Sequence, residues 1–295
     1  LRLDAADISP DAVKDADALI VRTRTRCAEP LLKGSRVRFI ATATIGYDHI
    51  DAPYCLRYGI RWTNAPGCNA SSVAQYVASA LFRLSRKTGL PLAGRTLGVV
   101  GVGHVGRKVA AVASALGMKV LLNDPPRAEK EGSSGFVPLE TLLAEADVVA
   151  LHVPLTRCGD HKTYHLADET FFSRIKRKPW LINASRGEVA DTNALKSAII
   201  TKRISATALD VWEREPDIDQ ELLALTDIAT PHIAGYSADG KANGTGMAVR
   251  ALASFFGIEP LKEFQPKLDS VPNEREIVPA SDKTAVADAV LHSYD

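Results

Sequence analysis

The sequence predicts an α/β protein with two doubly wound parallel-sheet domains. Three observations predict this fold. Short runs rich in valine, isoleucine and leucine alternate with helical patterns along most of the chain. A glycine-rich turn near residue 101 joins one such run to a helix, and a long amphipathic helix precedes that turn. Alternating strands and helices are typical of parallel sheets covered by helices on both faces.

The first domain is predicted to contain parallel strands with short connections. Residues 17–21 and 37–41 are short apolar runs followed by polar residues that can face a ligand. Residues 52–58 fit a short helix that ends at Gly59, because glycine commonly terminates helices. Residues 60–64 form a further strand, which ends in a proline-glycine turn.

A long helix over residues 71–87 is predicted to connect the two domains. The apolar positions at helical spacing are Val73, Val77, Ala80, Leu81 and Leu84. Ser71 or Ser72 can cap the first turn of this helix.

The second domain is predicted to begin near residue 95 and to fill residues 71–236 together with the connecting helix. The predicted strands are 96–100, 119–123, 147–151, 180–183, 205–209 and 227–229, and the predicted helices are 105–116, 139–145 and 192–200. A helix over 246–256 is expected to return to the first domain, since such domains are often assembled from both chain ends. The first domain is therefore predicted as residues 1–70 with about 237–258. Residues 261–279 are proline-rich and irregular, and 285–294 fit the start of a helix.

Composition excludes several classes of function. The 295 residues are 46% hydrophobic, which is enough for two separate cores. The net charge is only +1, so we expect no nucleic-acid partner. No apolar run reaches the roughly 18 residues of a membrane helix, and no leader opens the chain, so we expect no membrane partner. A small-molecule partner fits this composition better.

The cysteines indicate a reducing compartment. They are scattered, without a C-x-x-C pair, at Cys27, Cys55, Cys68 and Cys158. This pattern favours neither a disulfide framework nor a metal site, so we expect a cytoplasmic protein without a bound metal. The sequence begins at Leu1 rather than at a methionine, and we expect that a strand preceding it is missing.

The glycine-rich turn has the pattern Gly101-x-Gly103-x-x-Gly106 between a predicted strand and a predicted helix. In a dinucleotide-binding turn the first glycine permits the bend, the second admits the pyrophosphate, and the third lets helix and strand approach. Asp124 lies 18 residues after Gly106, at the end of the next predicted strand. This is near the roughly 20 residues expected for an acid that accepts hydrogen bonds from ribose hydroxyls. We therefore predict that residues 71–236 form an NAD-binding Rossmann domain.

Charge favours NAD over NADP in this turn. The carboxylate of Asp124 would repel the 2′-phosphate of NADP. Arg127 lies nearby and could bind that phosphate, so NADP stays an alternative. His104 and Val105 lie inside the turn and are predicted to be neighbours of the cofactor rather than catalysts.

An arginine and a histidine follow later strands of the second domain. Arg186 comes between the strand at 180–183 and Gly187, and His232 follows the strand at 227–229. Both therefore lie at the carboxyl edge of the predicted sheet, where open α/β folds bind their ligands. Arg186 can hold a substrate carboxylate with two parallel hydrogen bonds, and His232 can accept a hydroxyl proton.

A carboxylate partner for His232 is expected after the next-to-last strand. Asp210 ends that strand and can face the nicotinamide end of the cofactor, while Glu213 and Glu215 lie in the loop that follows. Spacing does not decide between the two glutamates, and Pro216 favours Glu215 by fixing its loop. Such a partner holds one tautomer and raises the pKa of His232, so oxidation of a hydroxy acid should accelerate as pH rises.

Basic residues follow the first predicted strand. Arg22, Arg24 and Arg26 alternate there with Thr23 and Thr25. Guanidinium and hydroxyl groups at a strand end can hold a phosphate group. The alternative is a solvated basic turn without a ligand. We favour the phosphate site.

Beyond these features, the chain resembles the D-isomer-specific 2-hydroxyacid dehydrogenases across nearly its full length. Four segments resemble a branch that acts on a phosphorylated four-carbon acid, namely residues 41–51, 65–70, 124–127 and 231–236. The resemblance implies NAD-dependent oxidation of 4-phospho-D-erythronate to its 2-oxo acid, a step in bacterial pyridoxal-phosphate synthesis. It also implies a homodimer, with residues 259–295 as the beginning of a C-terminal dimerisation domain.

The same resemblance implies roles for individual residues. It assigns catalysis to Arg186, Glu215 and His232, and so selects Glu215 over Glu213. The implied substrate contacts are Thr23, Thr44 and Tyr236, in a substrate-binding domain formed by both chain ends. The implied cofactor contacts are Asp124, Val153, Ala184, Ser185, Arg186, Asp210 and Gly235. Val153 has no hydroxyl, so its contact is backbone or apolar only.

Two other functions stay open at this point. D-3-phosphoglycerate dehydrogenase acts on a substrate that also combines a 2-hydroxy carboxylate with a phosphate, one carbon shorter. A non-enzymatic protein of the same fold could instead sense nicotinamide cofactors and regulate a binding partner. Comparing turnover of three-carbon and four-carbon acids distinguishes the two enzymes, and absence of turnover with tight NAD binding favours the sensor.

Overall fold

The computed structural model describes residues 3–268, 281 and 284–293 and confirms the predicted α/β fold with parallel sheets. The chain divides into two compact units. Among the described residues, unit 1 comprises 3–69 and 236–268, and unit 2 comprises 70–235 with 281 and 284–293. The roles predicted for the two domains stay predictions.

The described residues form the following elements. The strands are β1 (Ala18–Val21), β2 (Phe39–Thr42), β3 (Arg61–Thr63), β4 (Thr96–Val100), β5 (Lys119–Asn123), β6 (Val148–Leu151), β7 (Trp180–Asn183), β8 (Ala206–Leu209) and β9 (Ile228–Ala229). The α-helices are α1 (Pro10–Val13), α2 (Glu29–Leu32), α3 (Ala52–Arg57), α4 (Ala70–Thr88), α5 (His104–Ala115), α6 (Pro125–Glu131), α7 (Leu139–Glu145), α8 (Glu169–Ser173), α9 (Thr192–Ile200), α10 (Gln220–Leu225), α11 (Ala238–Phe256) and α12 (Ala285–Ser293). Short 3₁₀ helices lie at Ala5–Asp7, Gly187–Val189 and Glu259–Leu261.

Unit 1 is built on a parallel sheet in the order β1-β2-β3. The central strand β2 is buried along its whole length. Its residues alternate between two cores, because successive side chains of a strand point to opposite faces. Ile40 packs with Cys55 of α3 on one face, and Phe39 and Ala41 pack with Ala248 of α11 on the other. The second chain segment of unit 1 therefore packs its helix against the sheet that the first segment forms.

Unit 2 is built on a six-stranded parallel sheet in the order β5-β4-β6-β7-β8-β9. Both faces are buried, as expected for a parallel sheet. In β7, Trp180 and Ile182 belong to the core on one face, and Leu181 belongs to the core on the other. The carboxyl ends of all these strands lie at one edge, so the loops that carry the predicted site residues of unit 2 begin along that edge.

The C-terminal segment is described only in part. The helix expected at 285–294 is present as α12, and Arg86 of α4 forms an ion pair with Asp288 of α12. Residues 262–268 are turns and coil, and the rest of the predicted irregular segment lies outside the described residues. Most of the predicted dimerisation domain also lies outside them.

Candidate active site

The turn between β4 and α5 leaves room for a phosphate group. Gly101 has a φ of +89°, and a Cβ added at Gly106 would lie 2.0 Å from the carbonyl oxygen of Gly101. These two positions therefore need glycine for the packing of the protein itself. A Cβ added at Gly103 would meet nothing within 4 Å, so the space beside this residue is open.

Helix α5 directs its amino terminus at this turn. Gly103 is its N-cap residue and supplies no side-chain hydrogen bond, so the amides of the first turn, which begins with His104 and Val105, have no side-chain cap. Uncapped amides and the helix dipole favour an anion. The residues of this turn fit the pyrophosphate of a dinucleotide.

Asp124 follows β5 beside the same turn. Its Oδ2 accepts a hydrogen bond from the amide of Val102 at 2.8 Å, and its Oδ1 accepts one from the amide of Arg127 at 3.1 Å. Since a carboxylate has about four acceptor positions, ribose hydroxyls can still bind it. Arg127 donates to the carbonyl of Val102 at 2.7 Å and to Glu131 at 2.6 Å, which disfavours its use for a 2′-phosphate.

His152 and Val153 follow β6 on the other side of Gly101. A Cβ on Gly101 would lie 2.7 Å from the backbone of His152 and 2.8 Å from Cγ1 of Val153, so Val153 presents an apolar wall here. The ring nitrogens of His152 are buried without a hydrogen-bond partner in the described residues. Burial lowers the pKa of His152 to about 4, so its imidazole is neutral near pH 7.

Arg186 is held by a tight turn after β7. The amide nitrogen Nδ2 of Asn183 donates to the carbonyl of Arg186 at 3.1 Å, and Oδ1 of Asn183 accepts from the hydroxyl of Ser185 at 2.7 Å. Nη1 of Arg186 donates to the carbonyl of Ser185 at 2.8 Å. A Cβ on Gly187 would lie 1.9 Å from the backbone of Trp212. The loops after β7 and β8 are therefore in direct contact.

His232 is hydrogen-bonded to Glu215. Nδ1 of His232 lies 2.7 Å from Oε2 of Glu215, whose Oε1 accepts from the amide of Trp212 at 2.8 Å. The Nε2 atom of His232 has no protein partner in the part of the chain that the structure describes. This geometry leaves Nε2 available for a substrate proton.

Glu213 is bound to a different histidine. Its Oε1 lies 2.7 Å from Nε2 of His165, and its Oε2 accepts from the amide of Thr192 at 2.9 Å. Nδ1 of His165 lies 3.2 Å from a carboxylate oxygen of Asp191. Glu213 thus attaches its loop to the start of α9, whereas Glu215 meets His232.

Asp210 holds the backbone around His232. Its buried carboxylate accepts from the hydroxyl of Thr230 at 2.7 Å and from the amides of Ile233 and Ala234 at 2.8 and 2.9 Å. Its carbonyl accepts from the amide of His232 at 2.7 Å. Burial raises the pKa of Asp210 despite these hydrogen bonds. Its predicted contact with the cofactor stays a prediction.

The electrostatics of the pair suit a base with a carboxylate partner. The hydrogen bond to Glu215 raises the pKa of His232, although partial burial and the charge of Arg186 oppose it. Partial burial acts to raise the pKa of Glu215, but hydrogen bonds from His232 and Trp212 and the charge of Arg186 hold it below its usual value. Arg186 therefore acts electrostatically on both members of the pair, and all three side chains belong to unit 2.

The other predicted cofactor contacts of unit 2 follow strands of the same sheet. Ala184 is half-buried and packs against the core, Ser185 is buried with its hydroxyl directed to Asn183, and Gly235 is half-buried after the histidine loop.

The predicted substrate contacts all belong to unit 1. Arg22 and Thr23 follow β1 and are exposed. The hydroxyl of Thr44 lies 2.7 Å from that of Thr42 at the end of β2. Tyr236 precedes α11 and is 69% exposed.

The described residues hold no group of three histidine, cysteine, aspartate or glutamate side chains placed to bind a metal ion. None of their helices is long and apolar enough to cross a membrane. Cys27, Cys55 and Cys68 are buried free thiols, and Cys158 is an exposed one.

Residues 69–234 match the family model for the NAD-binding domain of D-isomer specific 2-hydroxyacid dehydrogenases. The chain belongs to this family. The 2-hydroxyacid dehydrogenase is therefore an NAD-dependent enzyme, which confirms the predicted class, the cofactor and the resemblance noted above.

Relatives of this 2-hydroxyacid dehydrogenase carry a narrower name. A protein of Bacteroides fragilis named erythronate-4-phosphate dehydrogenase is 57% identical over 253 residues, which cover 86% of this chain and 73% of the relative. A protein of Bacteroides thetaiotaomicron with the same name is 51% identical over 289 residues, covering 98% and 81%.

Solved structures of other dehydrogenases share its fold. D-lactate dehydrogenase of Aquifex aeolicus, in complex with NAD and lactic acid, is 31% identical with a TM-score of 0.72, over 90% of this chain and 91% of that one. NAD-bound 3-phosphoglycerate dehydrogenase of Entamoeba histolytica is 26% identical with a TM-score of 0.74, over 91% and 88%.

Some contacts of the candidate residues of the dehydrogenase were not expected from the sequence. His165 and Thr192, which bind Glu213, are far from it in the sequence, and no local pattern joins them. Lys241, whose ammonium nitrogen lies 3.4 Å from the centre of the Tyr236 ring, was also missed. Lys241 follows Tyr236 by five residues, and this short separation was the only sequence feature that could have indicated their contact.

Proposed function

We propose that the protein oxidises 4-phospho-D-erythronate to 2-oxo-3-hydroxy-4-phosphobutanoate with NAD, in the biosynthesis of pyridoxal 5′-phosphate. The observation that carries this proposal is the name shared by relatives that are 46–57% identical to most of this chain. The hydrogen-bonded pair of His232 and Glu215, with Arg186 acting on both, supports the chemistry.

In the proposed reaction His232 is the base. Bound NAD supplies the acceptor for the hydride that leaves C2 of the substrate. Nε2 of neutral His232 takes the proton of the C2 hydroxyl, while Nδ1–H stays hydrogen-bonded to Glu215. Glu215 stabilises the imidazolium that forms, as the raised pKa of His232 indicates.

Arg186 is proposed to bind the substrate carboxylate. Its Nη1 donates to the carbonyl of Ser185, and a planar guanidinium carries five N–H groups in a fork that matches a carboxylate. A guanidinium bound to the carboxylate fixes the orientation of the reacting carbon. The anion that it binds offsets the charge that Arg186 otherwise exerts on His232.

An absorbance assay for NADH tests the proposal. We expect turnover with 4-phospho-D-erythronate that exceeds turnover with D-3-phosphoglycerate by at least about tenfold in kcat/KM, because one extra carbon changes binding by about 1–3 kcal/mol. The same assay tests the alternative enzyme, D-3-phosphoglycerate dehydrogenase. The likeness to the solved 3-phosphoglycerate dehydrogenase structure supports that alternative. A preference for the three-carbon acid would select that alternative. Tight NAD binding without turnover of either acid would select the nicotinamide sensor.

The proposal includes a cytoplasmic homodimer. The resemblance supports the homodimer. The scattered cysteines, which are free thiols in the described residues, support the reducing cytoplasm. Light scattering of the protein with its complete C-terminal dimerisation domain, compared with the mass of one copy, tests the dimer. A mass of one copy at micromolar concentration would contradict it.

A further inference from the structure

Two connections of unit 2 carry residues of the proposed reaction. The connection from β7 to α9 carries Arg186, and the connection from β8 to α10 carries Glu215. The two touch at Gly187, where an added Cβ would lie 1.9 Å from the backbone of Trp212. Contact between backbones does not by itself fix how the two connections are oriented. The position of Glu215 opposite His232 therefore depends on further contacts.

His165 lies in a third connection, from β6 to α8, which runs beside the first one. Its backbone amide donates to the carbonyl of Glu188 at 2.8 Å, and the amide of Ala167 donates to the carbonyl of Val189 at 3.0 Å. Nδ1 of His165 lies 3.2 Å from Oδ2 of Asp191, the N-cap residue of α9. His165 is therefore attached to the connection from β7 to α9 through both its backbone and its ring.

The other ring nitrogen of His165 reaches the connection from β8 to α10. Nε2 lies 2.7 Å from Oε1 of Glu213, whose Oε2 accepts from the amide of Thr192 at 2.9 Å. The side chain of Glu213 is only 17% exposed, so water weakens this contact less than it weakens surface ion pairs. The ring of Tyr164 stacks on that of His165 with 4.0 Å between the centroids and limits its rotation. A single imidazole thus joins the two connections.

Glu213 and Glu215 meet different histidines because the chain turns between them. Arg214 has a φ of +59°, in the left-handed region that few residues other than glycine adopt. One glutamate contacts His165, and the other contacts His232. Anchoring Glu213 therefore restricts Glu215, which lies two residues further on.

We propose that His165 is a positioning residue for the reaction, which fixes Glu215 opposite His232 by joining the two connections through Glu213. The inference rests on the proposed function, in which His232 is the base and Glu215 is its partner. When this bridge between His165 and Glu213 is lost, Glu215 should spend less time within hydrogen-bond distance of His232. Misplacement of a supporting group by about 1 Å can lower a rate by about 100-fold.

The experiment compares His165→Asn and Glu213→Leu, which each remove the bridge, with the control His161→Asn. Asparagine tolerates the left-handed φ of +53° at His165, but its side chain is too short to reach both carboxylates. His161 lies in the same connection and pairs with Glu129 of α6 at 3.0 Å, so the control also loses a contact between histidine and glutamate. That contact involves neither of the two connections that the bridge joins.

Both bridge variants should lower kcat for 4-phospho-D-erythronate by about 10- to 100-fold and leave KM for NAD within about twofold. The rise of kcat/KM with pH should also move to lower pH, because the pKa of His232 is raised mainly by its hydrogen bond to Glu215. Arg186 and Asp210 also act on His232, and neither is changed in these variants. His161→Asn should keep both the rate and the pH profile.

Direct loss of charge cannot explain the same shift in both bridge variants. Removal of the Glu213 carboxylate could by itself lower the pKa of His232, but removal of the His165 ring could not, since that ring bears positive charge or none. Glu213→Gln should retain the bridge, because its amide can donate to Nε2 of His165 while its oxygen accepts from Thr192. It should therefore keep kcat within about twofold and leave the midpoint of the profile unchanged.

An unchanged kcat and pH profile in His165→Asn would overturn the positioning role. A lower Tm with normal kcat per folded protein would make the bridge structural only, and a profile that moves to higher pH would indicate a direct effect of charge. Either result would also overturn the role. If thermal unfolding shows that His165→Asn does not fold, His165→Gly replaces it, since glycine adopts the same φ without strain.

An NMR titration of the His232 ring separates this inference from the proposed function. The isotope-labelled ring signal is identified by its absence from the spectrum of His232→Asn, and its titration needs no substrate. If the enzyme oxidises neither acid while the titration midpoint falls in both bridge variants, the proposed function fails and the placement of Glu215 by His165 stands. If the enzyme oxidises the proposed substrate while that midpoint stays unchanged in both variants, the positioning role fails and the proposed function stands.

Discussion

His232 combines a reactive side chain with an unusual backbone. Its φ of +57° lies in the left-handed region, which costs energy for most residues. The amides of the next two residues and the hydroxyl of Thr230 all bind the buried carboxylate of Asp210. Asp210 thereby stabilises the conformation that brings Nδ1 of His232 to Glu215. A histidine held in this way can present Nε2 in one fixed direction.

We expect His232→Asn to lose turnover while it keeps NAD affinity. Asparagine adopts the left-handed region more readily than most residues, so the loop should keep its conformation. Removal of the base should lower kcat by about 10²- to 10⁴-fold. Stopped-flow measurement of the chemical step gives the rate, and quenching of tryptophan fluorescence by NADH gives the affinity. His232→Ala should behave alike, and unchanged turnover in either variant would remove His232 from the role of base.

The two glutamates of one loop provide a matched pair of substitutions. Glu215→Gln removes the charge that raises the pKa of His232, so the rise of kcat/KM with pH should move to lower pH. Its plateau should also fall by at least about tenfold, because the imidazolium loses its partner. Glu213→Gln removes a charge that meets His165 instead, so the midpoint of the profile should not move. Equal shifts of the midpoint in both variants would contradict the assignment.

At the scale of elements, apolar periodicity predicted the strands of the large sheet well. It failed for α6, whose seven residues include no buried one, because such a helix has no apolar face to detect. An aspartate N-cap followed by proline was the available signal, since Asp124 accepts from the amide of Arg127. The strand order and the close contacts between loops depend on packing at long range, which no window of sequence contains.

The start of α11 was also predicted wrongly, at residue 246 rather than at Ala238. Gly240, Gly244 and Gly246 weaken the helical pattern there, because glycine has a low helix propensity. The structure shows what compensates. Ser237 caps the first turn by accepting from the amide of Gly240 at 3.1 Å, and Gly244 lets the helix approach the end of β2. The serine cap therefore sets where this helix begins, and the close contact at Gly244 explains why glycine stands within it.

The turn between β4 and α5 allows fold and cofactor binding to be separated. Gly106→Ala should destabilise the protein by about 1–3 kcal/mol or more, because its Cβ would meet backbone. Gly103→Ala should change stability by less than about 1 kcal/mol, since its Cβ meets nothing in the protein. It should nevertheless weaken NAD at least about tenfold, because the methyl group enters the space for the pyrophosphate. Urea unfolding and NADH titration of both variants measure the two effects, and full NAD affinity in Gly103→Ala would remove this turn from cofactor binding.

At the scale of the whole molecule, sequence identified which loops carry the chemistry but not how they meet. Arg186, Glu215 and His232 follow three different strands, and the parallel order of the sheet places those strand ends at one edge. The choice of Glu215 over Glu213 depended on Pro216 and on the resemblance, because both glutamates lie in the same loop before His232. Only the coordinates show that each glutamate meets its own histidine.

Each unit has its own buried cores. Because NAD is predicted to bind unit 2, it should raise the free energy of unfolding of unit 2 and not that of unit 1. The three tryptophans permit a direct test, because Trp180 and Trp212 are buried in unit 2 and Trp62 belongs to unit 1. Trp62→Phe leaves fluorescence that reports unit 2 alone. NAD at about 100 times its Kd should stabilise that signal by about 2.7 kcal/mol, which raises its Tm by roughly 5–10 °C.

Gly103→Ala is the control for that measurement, since it should fold normally and lose at least about half of the shift at the same NAD concentration. The stabilisation depends on the logarithm of the ratio of ligand to Kd, so tenfold weaker binding removes about 1.4 kcal/mol of it. A Tm of unit 2 that does not respond to NAD would place the cofactor elsewhere. An equal response in Gly103→Ala would instead show that the pyrophosphate does not use the open space beside that residue.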